Sequence, residues 1–131
     1  MKKLGAIVLA SLLATTGRAS DLATTFDEAV ALAENQNKDR ASRAYDALDF
    51  KPYYQQKYGP LFVSCLNSAD KPDTSTFSFV VAIAKDGHVL RLYADHETNM
   101  FACVKKTLRD DKFPAPPHAP YYNQISMRFS K

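Results

Sequence analysis

The hydrophobic rhythm of the chain changes near residue 75, from helical spacing to strict alternation. In the first part, Phe26, Ala29, Val30 and Ala33 fall on one side of a predicted helix. Thr25, with Glu28 three residues on, has the spacing of a capping box at its start. Asn35-Gln36-Asn37 ends it. Asp39 is placed to cap a second helix with Ala44, Tyr45 and Leu48 on one side, interrupted by Pro52, which lacks an N–H. A third helix carries Tyr54, Tyr58, Leu61, Phe62, Cys65 and Leu66 on one face, and Pro60 predicts a kink or a late start in it. Such an aromatic stripe is in the first place a surface for core packing.

A polar connector at 70–75, containing Pro72, leads into the second part. There Phe77, Phe79, Val81 and Ile83 alternate with Ser78, Val80, Ala82 and Ala84, the period of a strand. Lys85-Asp86-Gly87-His88 predicts a tight hairpin turn, because Asp-Gly supplies the backbone such a turn needs. A second strand follows at 89–94. Thr98 caps a predicted helix at 99–109 with Met100, Cys103, Val104, Thr107 and Leu108 on its apolar side. Phe113-Pro114-Ala115-Pro116-Pro117 cannot continue that helix. The last strand, 121–129, sets Tyr121, Asn123, Ile125, Met127 and Phe129 on one face and Tyr122, Gln124, Ser126 and Arg128 on the other. The pattern predicts an α+β fold: a three-stranded antiparallel sheet covered on one face by two helices, with additional N-terminal helices packed on it.

The opening residues have a different texture. Lys2 and Lys3 precede an apolar run at 4–14, and Gly17 and Ala19 stand at the −3 and −1 positions of a cut after Ala19. This is the layout of a cleavable signal peptide, and the apolar run is shorter than the roughly 20 residues a membrane span needs. The expected organisation is a signal peptide at 1–19, a helical extension at 20–53 and an α+β domain at 54–131. The expected location is the periplasm, with no integral membrane segment after cleavage. Charge follows the same division. The formal net charge is +3, and Lys2, Lys3 and Arg18 lie in the leader, which has no acidic residue, so the remainder sums to zero. A neutral domain lacks the basic field that attracts phosphates, and nucleic acid is not an expected partner.

Two cysteines, Cys65 and Cys103, lie on the apolar sides of the helices expected to cover the sheet. In an oxidising compartment they most simply form one bridge, and the two helices then pack side by side. Other candidate chemistry is sparse. Asp95-His96-Glu97 brings three ligand types together, but consecutive residues at a strand end point in different directions, which suits a solvated turn better than a metal site. His88 sits at a hairpin tip and His118 in a proline-rich loop, both expected to be exposed. Asp110-Asp111, flanked by Arg109 and Lys112, reads as a solvated helix terminus. No catalytic residue, metal site or cofactor is predicted.

The run F-x-F-V-V-x-I-x-x-D-G-x-V at 77–89, then C-V-x-x-x-L at 103–108, F-P-x-P-P at 113–117 and I-S-M-R-F at 125–129 resembles the TonB C-terminal domain superfamily, in its cysteine-containing, TolA/TonB-like periplasmic branch. The resemblance spans residues 58–129. It implies an adaptor rather than an enzyme, with Cys65 and Cys103 matching a disulfide pair. It also implies that a partner docks by adding a strand beside the last strand, with Tyr121, Tyr122, Gln124 and Arg128 as candidate contacts. A cleavable leader in place of a membrane anchor and long proline-rich spacer carries over the fold and strand docking, not energy transduction. The expected partner is therefore another protein, periplasmic or associated with the outer membrane. Two other functions fit a small exported domain: an immunity or inhibitor protein against a toxin delivered to the periplasm, and a small metal-binding protein or enzyme using His96 with Glu97.

Overall fold

Each helix start expected from a capping side chain is present in a computed structural model, which describes residues 21–68 and 75–129. The expected leader, nearly all of the polar connector and the last two residues lie outside the described residues. Helix α1 spans Phe26–Gln36, and the Thr25 hydroxyl accepts from the Glu28 N–H at 3.1 Å. The Glu28 carboxylate turns back one residue further than a regular capping box, accepting from the Thr24 N–H at 2.9 Å. Asp39 caps α2, Arg40–Tyr45, by accepting from the Ser42 N–H at 3.1 Å. Thr98 caps α4, Asn99–Leu108, by accepting from the Phe101 N–H at 3.0 Å.

The prolines behave differently from expectation. Pro52 does not interrupt the second helix, because α2 passes through a π-helical turn, Asp46–Phe50, into α3, Lys51–Ser68. The Lys51 N–H reaches the Asp46 carbonyl, one residue further back than in an α-helix. The wider turn gives room for the Pro52 ring, which in an α-helix presses on the carbonyl four residues earlier. It also changes the phase. Leu48, expected on the apolar side, is 74% exposed, and Phe50 turns into the core instead. Pro60 marks no late start: it lies within α3, on the exposed side of the helix, where its missing hydrogen bond leaves a carbonyl open to water.

Strands β1 (Phe77–Ile83), β2 (Val89–Ala94) and β3 (Tyr121–Met127) form one antiparallel sheet in the order β2-β1-β3. The Asp-Gly turn is as expected, with Gly87 at φ 99°. Its carbonyl accepts from the Phe113 N–H at 2.9 Å, so the Phe-Pro element is stitched to the hairpin tip. A β-carbon on Gly87 lies 1.9 Å from the Phe113 carbonyl oxygen. Gly87→Ala is therefore expected to lose roughly 1–3 kcal/mol through backbone strain, read as a lower urea midpoint with unchanged slope.

The alternating face of β1 packs as expected. Phe77, Phe79, Val81 and Ile83 meet Tyr58, Phe62 and Cys65 of α3 and Met100, Phe101, Val104 and Leu108 of α4 in one buried cluster. Cys65 and Cys103 are bridged, with α-carbons 6.0 Å apart. The opposite face is not bare either. Val80, Ala82, Tyr93 and Tyr122 are buried beneath Ala29 of α1, with Phe26, Val30 and Ala33 packed against them. β1 is thus enclosed on both faces, which accounts for its apolar residues at both parities.

Candidate functional site

A three-stranded sheet leaves two edges, and their main-chain groups are the largest unspent bonding capacity in such a fold. Two bonds set the phase of the ladder. The Asp95 N–H donates to the Ser78 carbonyl at 3.1 Å, so Ser78 faces β2 and the alternate residues of β1 face β3. Those residues lie opposite Tyr121, Asn123, Ile125 and Met127. The Tyr122 N–H accordingly points away from the sheet, where the Gln36 side-chain oxygen accepts it at 2.7 Å. By the same alternation, Gln124 and Ser126 turn their N–H and C=O groups outward.

The Gln36 amide nitrogen also donates to the Pro120 carbonyl at 2.7 Å. One carboxamide thereby takes up a donor and an acceptor of the edge, as a neighbouring strand does. It seals the first pairing position of β3; among the described residues, nothing caps the outward main chain of Gln124 and Ser126. Beside this edge is a cleft of about 220 Å³ between the end of α1 and the α2–α3 turn, lined by Glu34, Gln36, Asp46, Lys51, Tyr122 and Gln124 among others. The Asn123 amide donates to Asp46 at 2.7 Å and to the Tyr121 hydroxyl at 2.9 Å, and Lys51 pairs with Asp46 at 3.2 Å. A second hollow, bordered by Phe50, Lys51, Tyr54, Gln55 and Gln124, continues along the strand.

The four predicted contact residues divide into two pairs. Tyr121 and Tyr122 have buried side chains. The Tyr121 ring packs edge-on against Tyr45 with centroids 4.8 Å apart, and burial pushes its hydroxyl up to about 12. The Tyr122 hydroxyl accepts from the Ala23 N–H at 3.1 Å under α1. Their side chains are closed to a partner, the Tyr121 main chain faces β1, and the Tyr122 N–H is taken by Gln36. Gln124 and Arg128 are exposed along or just beyond the open stretch. Sequence reasoning missed Gln36, Asp46 and Lys51, whose roles depend on contacts across the chain. Asn123, a polar residue on the apolar face of β3, was the available signal.

The solvated-terminus reading of Asp110-Asp111 is wrong for Asp111. It is buried at 5% exposure and accepts from Tyr58 at 2.6 Å, Tyr53 at 2.7 Å, the Lys57 ammonium at 2.7 Å and the Lys112 N–H at 2.7 Å. Burial pushes its carboxyl up, but the bonds from Lys57, Tyr58 and Tyr53 outweigh this and hold it below the usual 3.8. Burial and the bond to Asp111 push the Tyr58 hydroxyl well above its ordinary value. The four side chains satisfy one another and tie α3 to the segment that carries the Phe-Pro element. The histidines are exposed as expected. His96 pairs with Asp95 at 3.0 Å and Glu97 with Lys105 at 3.6 Å. Among the described residues, no group of three or more histidine, cysteine or acidic side chains could hold a metal. No protein-family model, curated protein or solved structure matches the chain.

Proposed function

We propose that this chain is a periplasmic adaptor that binds another protein by adding an extended segment of it to the outer edge of β3. The observation that carries the reading is the outward-facing main chain of Gln124 and Ser126, uncapped among the described residues, beside the polar cleft of α1 and the α2–α3 turn. The signal-like leader and the Cys65–Cys103 bridge support an oxidising location. No described helix is long and apolar enough to cross a membrane. The TonB-like pattern of 77–129 supports docking at the last strand. Main-chain pairing supplies the affinity in this mode, and side chains at alternate positions supply the choice of partner.

The test separates backbone from side-chain binding. A photo-cross-linking residue is placed at Arg128 in growing cells, with Val63, 57% exposed on α3, as the control position. A discrete protein adduct is expected at 128 and not at 63. Gln124→Pro removes only an outward N–H, a position at which edge strands tolerate proline. It is expected to abolish the adduct while changing stability by no more than about 1 kcal/mol. An adduct that survives the proline, or no adduct at all, rejects strand addition at β3.

A further inference from the structure

The other edge of the sheet has a different chemistry. At its hairpin end β2 is covered: the Val89 N–H donates to the Asp111 carbonyl at 3.3 Å, and His88 bridges to Lys112. The ladder is irregular between Ala82 and Ile83, where β2 carries an extra residue. Beyond it, Arg91 and Tyr93 lie opposite Ala82 and Val80, so Leu92 and Ala94 turn their main-chain groups outward. Here β2 and α4 enclose a cleft of about 210 Å³ lined by Val89, Leu90, Arg91, Leu92, Lys105 and Arg109.

The charge of this lining is one-sided: it contains three cations and no carboxylate. The Arg91 guanidinium is turned away, donating to the Ala23 carbonyl at 3.4 Å and lying over the Tyr93 ring. Lys105 of α4 and Arg109, the residue that caps the end of α4, remain, one helical turn apart. Among the described residues, Lys105 pairs with the exposed Glu97 at 3.6 Å and lies over the Phe101 ring, and Arg109 has no ion pair. Leu90 of β2, 41% exposed, lines the same cleft. Apolar floor, the outward main chain of Leu92 and Ala94 and two cationic side chains converge at one place.

We propose that the β2–α4 cleft binds a short, extended, acidic segment of a partner protein. Its carboxylates pair with Lys105 and Arg109, one apolar side chain covers Leu90, and its main chain meets Leu92 and Ala94. This site lies across the sheet from the β3 edge and does not depend on strand addition there. With both occupied, the domain holds two segments on opposite sides of one sheet.

A dye-labelled hexapeptide of alternating valine and glutamate is the probe, and its valine–lysine counterpart is the control, both read by fluorescence anisotropy with the intact protein. The acidic peptide is expected to bind, and to weaken as salt is added, while the basic one does not. Lys105→Glu with Arg109→Glu is expected to reduce its affinity by about tenfold or more, since like charges are then juxtaposed. Leu90→Asp, a change at an exposed position, is expected to reduce it as well, and Gln124→Pro to leave it unchanged. Equal binding of both peptides, no binding, or loss on Gln124→Pro with charge reversal changing affinity less than roughly twofold overturns the proposal.

Discussion

Asp111→Ala is expected to destabilise the protein by about 3 kcal/mol, and Tyr58→Phe by only about 1 kcal/mol. The asymmetry follows from what each change leaves behind. Removing the carboxylate strands the Tyr58 hydroxyl, on a residue with no exposed surface, and deprives Tyr53 and Lys57 of their shared acceptor. A buried donor left without a partner costs its full desolvation, roughly 1–3 kcal/mol, on top of the charge-assisted bonds lost. Removing the Tyr58 hydroxyl leaves a carboxylate that still accepts from two side chains and one backbone N–H. The Lys57 pair is discounted in this sum because its side chain is 41% exposed and water screens it. Urea midpoints of the two variants and the double variant measure the effect and the coupling. A loss below about 0.5 kcal/mol for Asp111→Ala places the residue among ordinary surface positions and contradicts this account.

The same carboxylate gives the stability a pH signature. Its folded pKa lies below the 3.8 of the unfolded chain, so on acidification the unfolded state takes up the proton first. Its contribution is complete above pH 3.8 and is lost as the pH falls through the lower folded value. Asp39, Glu28 and Asp86 also have depressed values, through hydrogen bonds at exposed caps and turns. The diagnostic is therefore a difference: the stability gap between the native protein and Asp111→Asn should narrow between pH 7 and the region below 3.8.

What could be read in advance was local. Alternation, the Asp-Gly turn and the caps at Thr25, Asp39 and Thr98 involve residues within a few positions of each other, and all of these elements stand where they were expected. What escaped reading was held at a distance. Asp111 stands beside Arg109, Asp110 and Lys112, and nothing in that neighbourhood tells of two tyrosines and a lysine more than fifty residues earlier. The Gln36 side chain is an ordinary helix end until Pro120 and Tyr122 are laid beside it. Pro52 was read by the rule that proline breaks a helix, but widening one turn satisfies the same steric demand without a break. Placement of α1 on the second face was implicit in Val80 and Ala82, two apolar residues on the side of β1 that alternates with Phe77, Phe79, Val81 and Ile83.

Removing the Cys65–Cys103 bridge is expected to cost about 4 kcal/mol, whether by reduction or by replacing both cysteines with alanine. The loop it closes spans 38 residues and includes the segment between α3 and β1, the hairpin and the start of α4. Closing a loop of that length before folding removes entropy from the unfolded chain, while the folded state already holds α3 and α4 against one sheet face. Since a domain of this size has a net stability of only about 5–15 kcal/mol, the bridge decides a large part of it. Thermal unfolding with and without reductant should differ by on the order of 10 °C, and the double alanine variant should lose its response to reductant. Equal melting under both conditions would show that helix packing alone holds the two cysteines together. A contribution of that size would be kept only where thiols stay oxidised, which is the compartment the adaptor reading requires.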